Sequence, residues 1–242
     1  MKPIAVFQHT EVGAPGAVVP ILEALGREVV LVRVVDGEAV PADASGFGGL
    51  VFMGGSMGAH DPLPWIAQEL ALIRDADARG IPVAGHCLGS QLVALALGGA
   101  VRPHVRPEIG WCHISAEDSD TAREWLGEHA GQLLQTFQWH GDTFEPPAGA
   151  VQLASGSYCA NQAFVLRGLH LLVQSHLEMT PGLVALSMER NGHQLARQNA
   201  LGNPATSRFD DLLQDLPERT RRMHAILHRL YARWIVAHPF RE

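Results

Sequence analysis

Among the side chains able to do covalent chemistry, Cys87 has the most telling neighbours. It sits in Gly85-His86-Cys87-Leu88-Gly89, after the apolar run Ile81-Pro82-Val83-Ala84 and before a helical pattern that ends at Gly98-Gly99. This is a glycine-x-nucleophile-x-glycine pattern with a thiol as the nucleophile. The nucleophile of such a pattern rides on a strained strand-to-helix turn, and small flanking residues avoid a clash with the adjoining strand and helix. A thiol there meets the helix N-terminus, whose dipole and free N–H groups favour the thiolate. The N–H of Leu88 would point at an oxyanion. A buried cysteine at a tight turn fits the same five residues, since cysteine is a good small core residue. Gln91, one helical turn further on, favours the reactive reading.

A thiol nucleophile needs a base, and the base needs a third group to hold it. Of thirteen histidines, His176 stands out because it ends an apolar run and Glu178 follows two residues later. An extended backbone puts both side chains on one face, where Glu178 can accept from the imidazole. A solvated strand edge gives the same triplet. The remaining histidines point to no metal centre: H-E-x-x-H is absent, and His224 and His228, four apart, read as a solvated helix face. Lys2 is the single lysine, which excludes a P-loop or Schiff-base lysine elsewhere in the chain. Three cysteines, Cys87, Cys112 and Cys159, without C-x-x-C spacing, argue against a disulfide framework or a structural zinc. No cofactor is expected.

The elements that must carry these groups alternate strand and helix. Ile4–Phe7, Val29–Val35, Leu50–Met53 and Val83–Ala84 read as buried strands, continuous rather than alternating. Helices are expected over 15–26 and over 62–79, the latter with prolines in its first turn. That order predicts an α/β fold, a doubly wound, mostly parallel sheet with flanking helices, with ligands bound beyond the carboxyl ends of the strands. Runs at 110–116, 133–139, 151–155 and 163–173 are shorter and more polar, as for mixed or antiparallel strands beside the main sheet. Residues 207–237 read as two helical stretches broken at Pro217, with a stripe of Phe209, Leu212, Leu213 and Leu216, then Met223, Ile226, Leu227, Leu230 and Trp234. The expected division is one domain over 1–200 and a helical extension, 201–242, packed on it.

Composition agrees. The 242 residues are 47% hydrophobic and 18% charged, so a sizeable core is expected. A net charge of -7 with no basic block speaks against nucleic acid as a partner. The N-terminal apolar run reaches Gln8 and His9 too early for a signal peptide, and no run is long enough to span a membrane, so a soluble, cytoplasmic protein is expected.

Together these stretches resemble the class I, triad-type glutamine amidotransferases, and among them stand-alone proteins similar to the amidotransferase half of GMP synthase. The resemblance covers about residues 45–190 and rests on motifs recurring in order. Gly85 to Gln91 matches the nucleophile motif, and Gln174-Ser175-His176-Leu177-Glu178 matches the strand carrying histidine and glutamate. Met53-Gly54-Gly55-Ser56-Met57, followed by Asp61-Pro62-Leu63-Pro64-Trp65, is similar to the oxyanion-loop strand and its helix. Glu108-Ile109-Gly110-Trp111, His140-Gly141-Asp142 and Cys159-Ala160-Asn161-Gln162-Ala163-Phe164 also match the subgroup.

The resemblance implies that Cys87 attacks the side-chain amide of glutamine, that His176 serves the leaving ammonia and then water, and that Glu178 orients His176. It places the oxyanion on the backbone N–H groups of Gly55 and Leu88 and the substrate against Gln91, Gly54 and His140. Gly54-Gly55 reads equally as a tight turn, and His140 as a structural turn residue. Two positions depart from the family: Ser175 stands where phenylalanine is usual and Leu177 where proline is usual, which frees the path of the Glu178 segment. At this length there is no room for a synthetase domain, so ammonia would pass to a separate ATP-dependent synthetase subunit. Two other readings stay open: a γ-glutamyl peptidase or hydrolase with the same triad, and a catalytically idle binding module.

Overall fold

A run of β-branched and aromatic residues that is apolar on both faces needs cover on both, and the fold supplies it with helices on each side of one sheet. The computed structural model describes residues 2–236. Its parallel half holds β1 (Ile4–Gln8), β2 (Val29–Arg33), β3 (Gly49–Phe52), β4 (Val83–His86) and, late in sequence, β9 (His170–Val173). The antiparallel half holds β5 (Ala100–Ala116), β6 (Leu133–Glu145), β7 (Ala150–Gly156) and β8 (Ala163–Leu166). They form one nine-stranded sheet in the order β2-β1-β3-β4-β9-β8-β7-β5-β6.

Side chains alternate between two cores. Ile4 and Val6 face α1 (Val18–Ala24), α4 (Asp120–Leu126), α5 (Pro181–Ala200) and α6 (Leu216–Val236). Ala5 and Phe7 face α2 (Pro64–Ala78) and α3 (Leu88–Ala96). This is the α/β, mostly parallel architecture expected in the first half of the chain, extended on one side by the antiparallel strands. Proline opens α2 and α5, where its missing N–H costs nothing, and Thr180 caps α5 by accepting from the N–H of Leu183.

Four expectations need correction. The run at 29–35 is an edge strand rather than a buried one: β2 stops at Arg33, only Val32 is fully buried, and 34–36 form a single 3₁₀ turn. An edge strand with one neighbour, β1, keeps part of its surface in water. The run at 163–173 is a hairpin, β8 and β9, turned at Arg167 (φ 55°) and Gly168 (φ 66°). Pro217 does not break a helix but lies in the first turn of α6, after a short 3₁₀ turn at 209–211. Phe209 and Leu213 are exposed and leave the stripe, whereas Met223, Ile226, Leu227, Leu230 and Trp234 are buried in the core. Residues 237–242, part of the expected C-terminal extension, lie outside the described residues.

Candidate active site

The carboxyl ends of β1, β3, β4 and β9 converge, and each delivers one part of the site. At the end of β4, Cys87 takes φ 49°, ψ -111°, a sparsely allowed conformation for a residue with a Cβ. Its neighbours show why glycine is required there. A Cβ on Gly85 would lie 2.5 Å from the carbonyl carbon of Gly89, and one on Gly89 would lie 1.9 Å from the carbonyl oxygen of Phe52. The turn is pinned on both sides: the Cys87 N–H donates to the Val173 carbonyl at 2.8 Å, and its carbonyl accepts from the Ser90 hydroxyl at 2.7 Å. The thiol is 5% exposed at the floor of a cavity.

Beyond the end of β9 the chain bends at 174–175 and again at 177–178, with His176 held between the bends by a single bridge to Phe137. Glu178 Oε1 lies 2.7 Å from His176 Nδ1, so the expected pair meets although the backbone between them bends rather than staying extended. The triplet is not a solvated edge: Glu178 is fully buried and His176 is 8% exposed. The departure at Leu177 leaves this path intact, because other contacts hold it. The His176 N–H donates to the Phe137 carbonyl at 2.8 Å, and the Glu178 carbonyl accepts from the Ala17 N–H at 2.9 Å. Leu177 is buried in the core, and Ser175 is fully buried with no partner for its hydroxyl among the described residues.

The Cys87 sulfur lies beside the His176 imidazole, near enough to act on its charge. A Cβ on Gly54 would fall 2.7 Å from His176 Cε1 and 3.6 Å from Cys87 Cβ, so this glycine is what lets the imidazole stand over the sulfur. Burial by itself drives His176 toward its neutral form, but the adjoining Glu178 carboxylate and the Cys87 sulfur outweigh it and hold the imidazole well above its ordinary range. Burial likewise opposes the Glu178 charge, yet His176 and then His86 keep the carboxyl far below the usual range.

Two members of this chain escaped sequence reading. His86 Nδ1 stands 3.3 Å from the second oxygen of Glu178, and His86 Nε2 lies 2.8 Å from the hydroxyl of Tyr231 on α6. Burial, with the Glu178 charge, keeps the Tyr231 phenol firmly protonated, so it donates to His86 and directs the other imidazole N–H toward Glu178. The result is a buried line, Tyr231–His86–Glu178–His176–Cys87. No local pattern announces Tyr231, which is 145 positions from His86.

The remaining expected groups also gather here. Gly55 and Leu88 are adjacent: a Cβ on Gly55 would lie 2.8 Å from Leu88 Cδ2. Among the described residues nothing accepts from either backbone N–H. The loop is braced from below by His9, whose Nδ1 meets the Met53 carbonyl at 3.0 Å and whose Nε2 meets the buried Glu69 at 3.0 Å. Gln91 lines the cavity, its amide donating to the Asp142 carbonyl and to Gln174 Oε1, each at 3.3 Å. His140 also lines it, tied to Glu108 at 2.9 Å and to the Asp142 carbonyl at 2.9 Å; it is a strand residue of β6 paired with Glu108, not the turn residue expected. His224 is not on a solvated face but bonds the Met179 carbonyl at 2.9 Å, while His228 is exposed.

Glu108, His140 and Cys159 bring ligand atoms within 4.8 Å of one another, a trio that spacing did not suggest. Their chemistry is that of a hydrogen-bonded knot. Glu108 accepts from Gln162 at 2.8 Å as well as meeting His140, Cys159 contacts the Thr143 hydroxyl at 3.3 Å, and burial pushes the Cys159 thiol up.

A doubly wound sheet with a cysteine elbow at one strand end and a carboxylate-held histidine at the next defines the α/β class of elbow proteins. Residues 16–195 match the family described as glutamine amidotransferase class-I, and the chain belongs to it. The crystal structure of a glutamine amidotransferase from Methylobacillus flagellatus superposes with a TM-score of 0.94 at 36% identity, over 100% of this chain and 97% of that one. A glutamine amidotransferase-like protein of Salmonella typhimurium, YfeJ, is 31% identical over 78% of this chain and 80% of its own length. A glutamine-hydrolysing GMP synthase subunit of Saccharolobus solfataricus is 32% identical over 47% of this chain and 57% of its own length. Gamma-glutamyl peptidase 4 of Arabidopsis thaliana is 31% identical over 60% of each chain.

Proposed function

We propose that the protein hydrolyses the side-chain amide of glutamine, or a γ-glutamyl amide, through a Cys87–His176–Glu178 triad. The observation that carries this is the buried row of Tyr231, His86, Glu178 and His176 that ends at Cys87, with Glu178 2.7 Å from His176, under an open cavity with two unused N–H groups beside it. The Cys87 sulfur adds to the amide carbon, and the oxygen's charge falls on the N–H groups of Gly55 and Leu88. His176 gives its proton to the leaving nitrogen, the C–N bond breaks, and a γ-glutamyl thioester remains on Cys87. His176 then takes a proton from water, which adds to the thioester and releases glutamate and the thiol. Glu178 holds His176 in the tautomer both steps require, Gln91 and His140 line the substrate's place, and Gly54 leaves the imidazole room.

With glutamine as substrate, the ammonia passes to an acceptor activated on a separate synthetase subunit; the likeness to a GMP synthase subunit supports this. A peptidase reading has its own support: the cavity has a volume of about 490 Å³, within the range of sites for ligands much larger than glutamine. Among the described residues no helix is long and apolar enough to cross a membrane, and the helices after residue 200 belong to the same domain in this reading.

The test is glutamate release by purified protein from glutamine and from γ-glutamylglycine, with Cys87→Ala as control. Cys87-dependent release supports thiol hydrolysis, and the better substrate chooses between the two forms. A protein that neither releases glutamate nor is labelled at Cys87 by a glutamine-like electrophile is an idle module.

A further inference from the structure

Opposite the elbow, the cavity is walled by α5. Ser187, Asn191, Gln194 and Gln198 recur there at helical spacing, and Arg197 lines the cavity beside them. A helix that only packs on its own domain turns an apolar stripe inward. Helix α5 does so with Val184 and Leu195; along the cavity it carries buried Ser187 and half-buried Asn191 and Gln198, with Gln194 and Arg197 exposed at the rim. The wall stands close to the chemistry. Gln194 Oε1 accepts from the Trp139 indole N–H at 2.9 Å, and the Trp139 carbonyl lies 4.0 Å from the Cys87 sulfur.

Among the described residues Arg197 is the one arginine on the cavity wall. Other arginines along this part of the chain are committed: Arg190, Arg208, Arg221, Arg222 and Arg233 all pair with carboxylates. Among the described residues Arg197 has no ion pair and no side-chain hydrogen bond, so its five donors are available to an anion. Departing ammonia needs neither a cation nor a polar wall.

Resting on the hydrolytic reading above, we propose that the α5 wall is a subsite for the leaving group. It takes an amine that bears a carboxylate, so the preferred substrates are γ-glutamyl amino acids. Arg197 pairs with the α-carboxylate of the departing amino acid, and Asn191 and Gln198 offer amides to the same carboxylate. The γ-glutamyl C–N bond breaks, the amine leaves with the proton from His176, and water completes release of glutamate, so no further reactant is needed.

Binding to the Cys87→Ala protein tests the subsite without turnover, by calorimetry with γ-glutamylglycine, γ-glutamylglycinamide and glutamine. The acid is expected to bind about tenfold more tightly than its amide, the scale of one charge-assisted pair in a half-open site. In Cys87→Ala/Arg197→Gln that ratio is expected to fall to about one. A ratio near one before Arg197 is changed overturns the proposal, as does failure of any of the three to bind. A loss on Arg197→Gln that is equal for acid, amide and glutamine also overturns it, assigning Arg197 to the glutamyl end. Hydrolysis by the unaltered protein is a separate readout: its absence beside a tenfold binding ratio removes the chemistry and keeps the subsite.

Discussion

Cys87 sits in a strained backbone conformation, and in the proposed mechanism it acts as one unit with His176 and Glu178. Cys87→Ala is expected to lower glutamate release by at least about a thousandfold with the circular dichroism unchanged, since removing a nucleophile leaves only binding and oxyanion contributions. Tyr231 works through two intermediaries. Its loss frees the His86 tautomer and lets a lone pair face Glu178. Tyr231→Phe is therefore expected to lower kcat about three- to tenfold while KM holds; an equal change in both would reduce Tyr231 to packing. The paired charges also set a pH dependence. Glu178, depressed, stabilises the fold above its unfolded value of 4.5 and loses that contribution as pH falls below it. His176, raised, contributes fully below its unfolded value of 6.5 and loses its share as pH rises through the higher folded value. Melting followed against pH should show the gap between wild type and Glu178→Gln widest between about pH 4.5 and 6.5, narrowing on acidification.

At the scale of elements, close approach decides most of the geometry. Helix α3 and strand β3 touch backbone to backbone at Gly89, where any Cβ meets the Phe52 carbonyl oxygen. Gly89→Ala forces α3 away from β3, with an expected cost of about 2–4 kcal/mol, the scale of overpacking a rigid site, and a loss of activity larger than the loss of stability implies. Chemical denaturation paired with kinetics checks both. The same element scale shows what local pattern could read. The elbow, the His176–Glu178 spacing and the parallel strands β1, β3 and β4 all follow from short windows, because apolar runs, glycines and a two-residue spacing are local signals. The hairpin of β8 and β9 was hidden since both strands are apolar and only Arg167-Gly168 marks the turn. Helix α5 went unread because its cavity face is polar, so the apolar period it would otherwise show is diluted.

For the whole molecule, α6 is the clasp. It brings Tyr231 to His86 and puts Trp234, fully buried, beneath Gly49, where a Cβ would lie 2.8 Å from the indole ring. Trp234→Ala leaves a void under β3 and is expected to cost about 3–5 kcal/mol, read as a lowered denaturation midpoint with unchanged slope. Because α6 also carries Tyr231, the residual folded protein should lose some kcat as well.

What the sequence determined by itself was the candidate groups and their scaffold: a thiol at an elbow, an imidazole with a carboxylate two residues on, and the alternating strands and helices of an α/β sheet. Those depend on neighbours along the chain, whose spacing sets which face a side chain takes. Only the tertiary structure decided what surrounds them. His86 pairs with Tyr231 across 145 positions, His9 reaches Glu69 across 60, and Gln194 meets Trp139 across 55. Such contacts are set by how helices close over the sheet, and many different sequences would satisfy the same local pattern without making them.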